Sequence, residues 1–252
     1  MIGLSTQSTL DDASIRRIIA SYNKVYDARV AIEAIAANGE SNSYIDRILE
    51  VTESVDLIVK RPLSNRVTKF IVGKWSMSQI GVGPVFTAGL MSYIDVTKAK
   101  TATSVWRYAG FDPTFNSSTR MSYNGDLKNI CLKIGHSFSR NVDKKNAFYG
   151  KLYLQDKIRR VRNNENGEYA EHAYETLINV NSKNKDTIAI LQSGKLPDEQ
   201  IEQQARRFAV KIFLSHYHTI AYQEHYGTAP YRPNSITIDG IEQHIEIPNN
   251  PF

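Results

Sequence analysis

The sequence predicts a mostly α-helical protein with a central helix-hairpin-helix and a short extended or β-hairpin tail at the C-terminal end. Three observations carry that expectation. Apolar residues recur at three- and four-residue steps over most of the first 226 positions, the period of one helix face. Gly81-Val82-Gly83-Pro84 interrupts that pattern with a turn and then a residue suited to starting a helix. After Gly227 proline recurs at 230, 233, 248 and 251, while SITIDG and IEQHIEI alternate in the period-two manner of strands.

Thr9-Leu10-Asp11-Asp12 supplies caps and early acids for a first helix, with Ile15, Ile18, Ile19, Tyr22, Val25, Tyr26 and Val30 in phase until Asn38-Gly39 ends it. A second helix starts near Ser43, keeps Ile45, Ile48, Leu49, Thr52, Val55 and Ile58 in phase, and is expected to break or kink at Arg61-Pro62. Residues 64–79 read as a third helix or an irregular link. A helical block follows from 84 to about 110, then a Ser/Thr/Asn-rich loop at 112–124 and a helix from Asp126 to about Phe138. The segment 144–164 is a strongly basic helix, and NNENG at 163–167 is a turn. Short helical patterns at 168–192 are broken by NVNSKNKD. Pro197-Asp198 then opens a long helix to about Tyr226, with Ile201, Ala205, Phe208 and Ile212 on a wide apolar stripe. The expected organisation is an N-terminal helical hairpin at 1–74, a core at 75–165, C-terminal helices at 166–226 and an extended tail at 227–252.

The formal charge of +5 and pI near 9.1 are mildly basic and permit a polyanionic partner. A single cysteine, Cys131, excludes an intrachain disulfide and a Cys-rich zinc site, and it fits a reducing compartment. MIGLSTQSTLDDAS has neither the basic head nor the apolar run of a signal peptide. No stretch approaches the roughly 20 apolar residues that span a bilayer. A cytoplasmic protein without membrane attachment is expected.

Two glycines in Gly81-Val82-Gly83 let the backbone turn tightly and approach another surface. The amides of Gly83, Val85 and Phe86 at the following helix start would lie at the positive end of its dipole, where an anion such as a phosphate binds. Lys144, Lys145, Lys151, Lys157, Arg159, Arg160 and Arg162 concentrate positive charge downstream, with Tyr149 and Tyr153 interleaved and Asp156 the only acid between 144 and 164. Such residues neutralise phosphates with a salt-sensitive, sequence-independent affinity. The alternative for a charge run is a solvated helix face, and for a Gly-x-Gly a plain helix–turn–helix corner.

Four of six histidines fall late: His216, His218, His225 and His244. His218 and His225 share a helix face with Glu224 nearby, but the spacing matches no zinc pattern, so packing roles are expected and no metal is assigned. Neither Cys131 with His136, nor Ser117, Ser118 and Ser122 with His136, has the context of a hydrolase; no Gly-x-Ser-x-Gly elbow exists.

The order IGVGPVFTAGLMSYIDV, TKAKTATSVWRYAGFDP, NGDLKNICLKIGHSF resembles the C-terminal helix-hairpin-helix transposase domain of bridge-RNA-guided insertion-sequence transposases. Tyr108-Ala109-Gly110-Phe111-Asp112-Pro113 matches that family's Tyr-Ala-Gly-Leu-x-Pro corner, and Tyr149-Gly150-Lys151-Leu152 continues into its basic helix; the match covers about 75–160. KIFLSHYHTIAYQEHYG and IEQHIEIP resemble short stand-alone phage and mobile-element relatives. The resemblance implies DNA binding and places the family's nucleophilic serine in the loop holding Ser117 and Ser118. Two departures argue against retained cutting. The usual Gln-Ser-Gly setting is Asn116-Ser117-Ser118-Thr119, and residues 1–75 leave no room for the family's metal-binding ribonuclease-H-like domain.

The expected function is therefore DNA-backbone binding in phage or mobile-element recombination, through Gly81, Val82, Gly83, Lys151, Lys157, Arg159, Arg160 and Arg162, without a cofactor. RNA is the alternative polyanion, and the apolar helix faces suit self-association. Two other readings stand beside it: a serine-dependent strand-transfer enzyme using Ser117 or Ser118 with Mg²⁺ from a partner, and an assembly protein without nucleic acid.

Overall fold

The helix that opens after Pro197 organises the fold. In the computed structural model, which describes residues 11–40, 42–112, 123–179, 184–230, 235–238 and 241–252, this is the last of ten described α-helices. They are α1 (Asp12–Ile35), α2 (Ser43–Val67), α3 (Ile71–Ser78), α4 (Pro84–Tyr93), α5 (Ala102–Tyr108), α6 (Gly125–Arg140), α7 (Phe148–Glu165), α8 (Ala170–Asn179), α9 (Lys185–Gln192) and α10 (Asp198–Tyr226). Except for the half-buried Lys211, every residue of α10 from Ala209 to Ala221 is buried. A helix apolar all round must be wrapped on all sides, and α3, α5, α6 and α7 wrap it. The protein is mostly α.

Phe213 is the hub of the main core. Its ring stacks on Trp75 at 5.7 Å between centroids and meets Phe138 and Tyr149 edge-on at 5.6 and 5.2 Å. Two buried histidines on the same helix tie distant segments to it. The His216 Nε2 lies 2.9 Å from the Ile245 carbonyl, which can only accept, so Nε2 carries the proton and Nδ1 accepts from the Tyr149 hydroxyl at 2.8 Å. His218 Nε2 donates in the same way to the Ala99 carbonyl at 2.7 Å. The His216–Ile245 bond, with Trp75 Nε1 donating to the Pro248 carbonyl at 2.9 Å, holds the C-terminal segment against the core, while the His218–Ala99 bond holds the loop after α4. Just before it, β1 (Ser235–Ile238) and β2 (Ile241–His244) pair antiparallel, Ser235 opposite His244.

Local chemistry explains half of the ten described helix starts. Asp11, Asn42, Thr101, Asn124 and Asn184 each cap the helix that follows with a side-chain oxygen. Helix α3 is capped from far along the chain, because Glu224 accepts from the amides of Ile71 and Val72, both at 2.8 Å. That assigns Glu224 to helix capping and not to a metal set with His218 and His225. The corner Tyr108-Ala109-Gly110-Phe111 closes α5. The Phe111 amide bonds the Trp106 carbonyl, the Gly110 amide bonds that of Arg107, and Gly110 takes the left-handed φ of 72°.

Of the break or kink expected at Arg61-Pro62, the break does not occur. Helix α2 runs through Pro62 to Val67. Proline removes one hydrogen bond, to the carbonyl of Ile58, on an exposed face where water can replace the lost donor. Meanwhile Leu63 and Val67 beyond it are buried against Ile15, Ile19, Val85 and Ala88, and that burial favours continuing the helix. The α1–α2 hairpin is thus buried only near its base.

Candidate functional site

Helix α4 is treated differently at its two ends. At its C-terminal end Arg16 donates from Nε to the Ser92 carbonyl at 2.8 Å, and its guanidinium lies 4.7 Å from the centre of the Tyr93 ring. At its N-terminal end Gly83 is the cap and offers no side chain. The first intrahelical bond there runs from Thr87 N to Gly83 O. The amides of Val85 and Phe86 therefore have no helical acceptor, and Pro84 has no amide at all.

The turn between α3 and α4 separates the roles of its glycines. The Val82 amide bonds the Gln79 carbonyl at 3.0 Å and its side chain is buried. The expectation that Val82 presents its amide to a ligand is corrected on that ground. Gly81 holds a φ of 96°, and a Cβ there would lie 2.9 Å from Ser137 Oγ, so this glycine lets the turn press onto α6. Around Gly83 a Cβ would meet nothing within 4 Å. Gly81→Ala should cost about 1–2 kcal/mol through the left-handed backbone alone. Gly83→Ser should be neutral or slightly stabilising, because serine is the better cap. Urea unfolding midpoints of the two variants check this pair, and equal losses would contradict the assignment.

Gly83, Pro84, Val85 and Phe86 form one wall of a cleft of about 590 Å³. Lys133, His136, Ser137 and Arg140 of α6 form the opposite wall; their spacing of three, four and seven puts them on one helix face. Tyr22, Tyr26, Asp27 and Lys60 from the α1–α2 hairpin close the side. Lys133 Nζ is steadied by Asn23 at 3.2 Å and Asp27 at 3.3 Å. Burial, and behind it the positive charges of Arg206 and Arg140, hold the His136 imidazole below its ordinary range. An anion in the cleft would offset that cationic field.

His136 also lines a second cleft, of about 330 Å³, with Lys128, Arg206 and Arg207. Arg207 lies over the Phe111 ring at 5.4 Å and donates to the Gly110 carbonyl at 3.3 Å. The buried Nε of Arg206 has no hydrogen-bond partner among the described residues, although its other end is paired with Glu202. The two clefts share the His136 side chain, and Glu199 lines the second beside its cations.

None of the five α7 cations expected to extend the hairpin lines either cleft. Asp156, whose side chain is 2% exposed, draws Arg159 and Arg160 into ion pairs at 2.5 Å, and Arg160 also bonds Gln204 at 2.6 Å. Lys157 faces Glu202 at 3.4 Å, while Lys151 donates to the Lys145 carbonyl at 2.6 Å. Arg162 is exposed on the far part of the helix. The single acid of that run is thus its organiser, and Arg159, Arg160 and Lys157 are corrected from phosphate ligands to internal pairs. Ser117 and Ser118 lie outside the described residues. Cys131 is wholly buried, which pushes its thiol far above the usual range.

Sequence reasoning missed Lys133, His136, Arg140, Arg206 and Arg207. The spacing of the first three was a legible signal, but only the fold shows which helix faces the Gly83 turn. Comparison of the chain with protein-family models, curated proteins and solved structures finds no match.

Proposed function

We propose that the protein binds the phosphate backbone of nucleic acid, DNA in the first instance, through a helix-hairpin-helix formed by α3, the Gln79–Gly83 turn and α4. The observation that supports this most is the pairing of an uncapped helix start with the Lys133–His136–Arg140 face across one cleft. Five helices take a cap from the side chain just before them and α3 takes one from Glu224. The starts of α7 and α10 also lack a side-chain cap; that of α4 shares its cleft with Lys133, His136 and Arg140, the surroundings of an anion site. Arg206 and Arg207 in the adjoining cleft would extend the contact to a polyanion longer than a single phosphate. The resemblance of residues 75–160 to a transposase domain is a second support and suggests a place in the DNA metabolism of a phage or mobile element.

The binding is expected to be sequence-independent, since helix amides and surface cations read phosphate and not base edges. The double variant Lys133→Glu/Arg140→Glu should weaken duplex binding by at least tenfold. It should also lower the slope of log K against log salt by about 0.9 for each phosphate that is no longer neutralised. Both residues are outside the buried core, so the circular dichroism spectrum should not change. An unchanged salt series would sink the proposal, and the matching reversal Lys151→Glu/Arg162→Glu on α7 should have the smaller effect.

A further inference from the structure

The α1–α2 hairpin is antiparallel, as the Asp12–Arg66 and Tyr22–Asp56 pairs show, and it carries an apolar face that nothing described covers. Along α2 two sets of residues repeat at alternating steps of four and three. Ile45, Leu49, Thr52, Asp56 and Val59 are all half-buried and face α1. One position earlier, Tyr44, Ile48, Val51, Val55 and Ile58 form a second seam with the same rhythm. Apart from the half-buried Val55 it is exposed, with Tyr44 at 81% and Ile58 at 70%. A second uninterrupted seam is the pattern of a helix that packs against two neighbours. Helix α4 is the second neighbour at the base of α2, where Leu63 and Val67 meet Val85 and Ala88, but this seam lies N-terminal to that contact.

Helix α1 completes the face. In an antiparallel pair, residues one position before each seam lie on the same side. Ile35 therefore stands beside Tyr44, Ala31 beside Ile48 and Ala28 beside Val51. The result is a ridge of large side chains on α2 next to a shallow groove of alanines on α1. This side is opposite the one bearing Tyr26 and Val30, which line the cleft.

We infer that this face is a homodimer interface: the α2 ridge of one copy lies in the α1 groove of a second copy, and reciprocally. A two-fold axis along the hairpins gives that arrangement, with Val51 of each chain over Ala28 of the other. It makes a four-helix bundle in which each helix is antiparallel to its neighbours. A second copy fits because ridge and groove on one face are mutually complementary, which is the requirement of an isologous interface. The area agrees. Helices of 24 and 25 residues at 1.5 Å per residue are about 36 Å long, and two side by side are roughly 20 Å wide. A pair of whole hairpin faces covers roughly 1,400 Å², within the range of specific dimers, and the apolar stretch at 44–58 makes up somewhat over half of it. The face carries Lys24, and Arg17 further along α1, but no carboxylate, and Arg47 at its edge is already paired with Glu50 at 2.6 Å.

This inference does not rest on the nucleic-acid reading, because the cleft lies across the hairpin from the interface. Sedimentation of the wild-type chain, free of nucleic acid, should show a dimer at micromolar concentration. Val51→Glu/Ile58→Glu should raise its dissociation constant roughly a hundred-fold or more, with unchanged helicity. Both positions are exposed, so the variant keeps its fold. As a second readout, chains carrying Ala28→Cys mixed with chains carrying Val51→Cys should join through a short bismaleimide, while Val51→Cys alone should not. Cys131 is wholly buried and does not compete. A monomeric wild type at high micromolar concentration would overturn the inference, as would a dimer that survives the glutamates. So would a monomer that instead pellets with anionic phospholipid vesicles through this face.

Discussion

Lowering the pH from 6.5 to 4 is expected to remove about 3 kcal/mol of folding stability through His216 alone, whose folded pKa is lowered to about 4. Burial is the main cause. The Ile245 carbonyl acts the other way, since it accepts more strongly from the cationic ring than from the neutral one, and nearby His244 adds a smaller lowering. The sign follows from proton counting. Between the two pKa values the unfolded chain holds a proton that the folded one does not, so stability falls as pH falls. The contribution is complete above pH 6.5 and fully lost near the folded value.

The geometry says why the imidazole cannot simply accept the proton. Its Nδ1 is an acceptor for the Tyr149 hydroxyl, and a second N–H there would face that donor inside the aromatic cluster around Phe213. His218 is shifted in the same direction, again by burial first, and adds to the acid sensitivity. Urea unfolding between pH 7.5 and 4.5 should therefore steepen in its pH dependence below 6.5, and His216→Gln should flatten that slope while lowering stability at neutral pH. Glutamine keeps a donor for the Ile245 carbonyl but does not titrate. An unchanged slope in the variant would show that other groups carry the acid response.

His216 also shows what could be read in advance. Its burial in packing was legible, because an aromatic-rich, long apolar helix around residues 205–221 has to lie inside. Its partners were not, since Tyr149 and Ile245 are 67 and 29 residues away. The same division runs through the rest of the molecule. Helix positions follow from periodicity and from caps such as Asn42 and Asn124, which act within three residues of themselves. Pro62 misleads because local cost was judged without the burial of Leu63 and Val67 beyond it. At the candidate site the Gly83 turn was legible as a helix start with open amides. Its companions were not: charge density pointed to α7, where Asp156 turns the arginines inward, and away from α6, whose thinner run of cations faces the turn.

Gly83→Asp should separate stability from binding more sharply than any other single change. The backbone at this position is extended, with φ of −96° and ψ of −179°, and the space around it is open. Aspartate fits there without strain and is among the best N-cap residues. Its carboxylate would accept from the α4 amides and complement the helix dipole, so stability should hold or rise by a few tenths of a kcal/mol. The same carboxylate would occupy the place proposed for a phosphate and repel a second anion. Losing one or two charge-assisted hydrogen bonds costs about 2 kcal/mol or more, a loss of roughly thirty-fold in affinity. Gly83→Asn, a comparable cap without the charge, should lose less.

The most direct test of the proposed function is the fluorescence anisotropy of a labelled DNA duplex titrated at low salt with the wild type and with Gly83→Asp. The account predicts saturable wild-type binding that weakens with salt, and a variant at least as stable as the wild type that binds at least tenfold more weakly. Equal affinity in the two proteins, or no wild-type binding even at low salt, would contradict it.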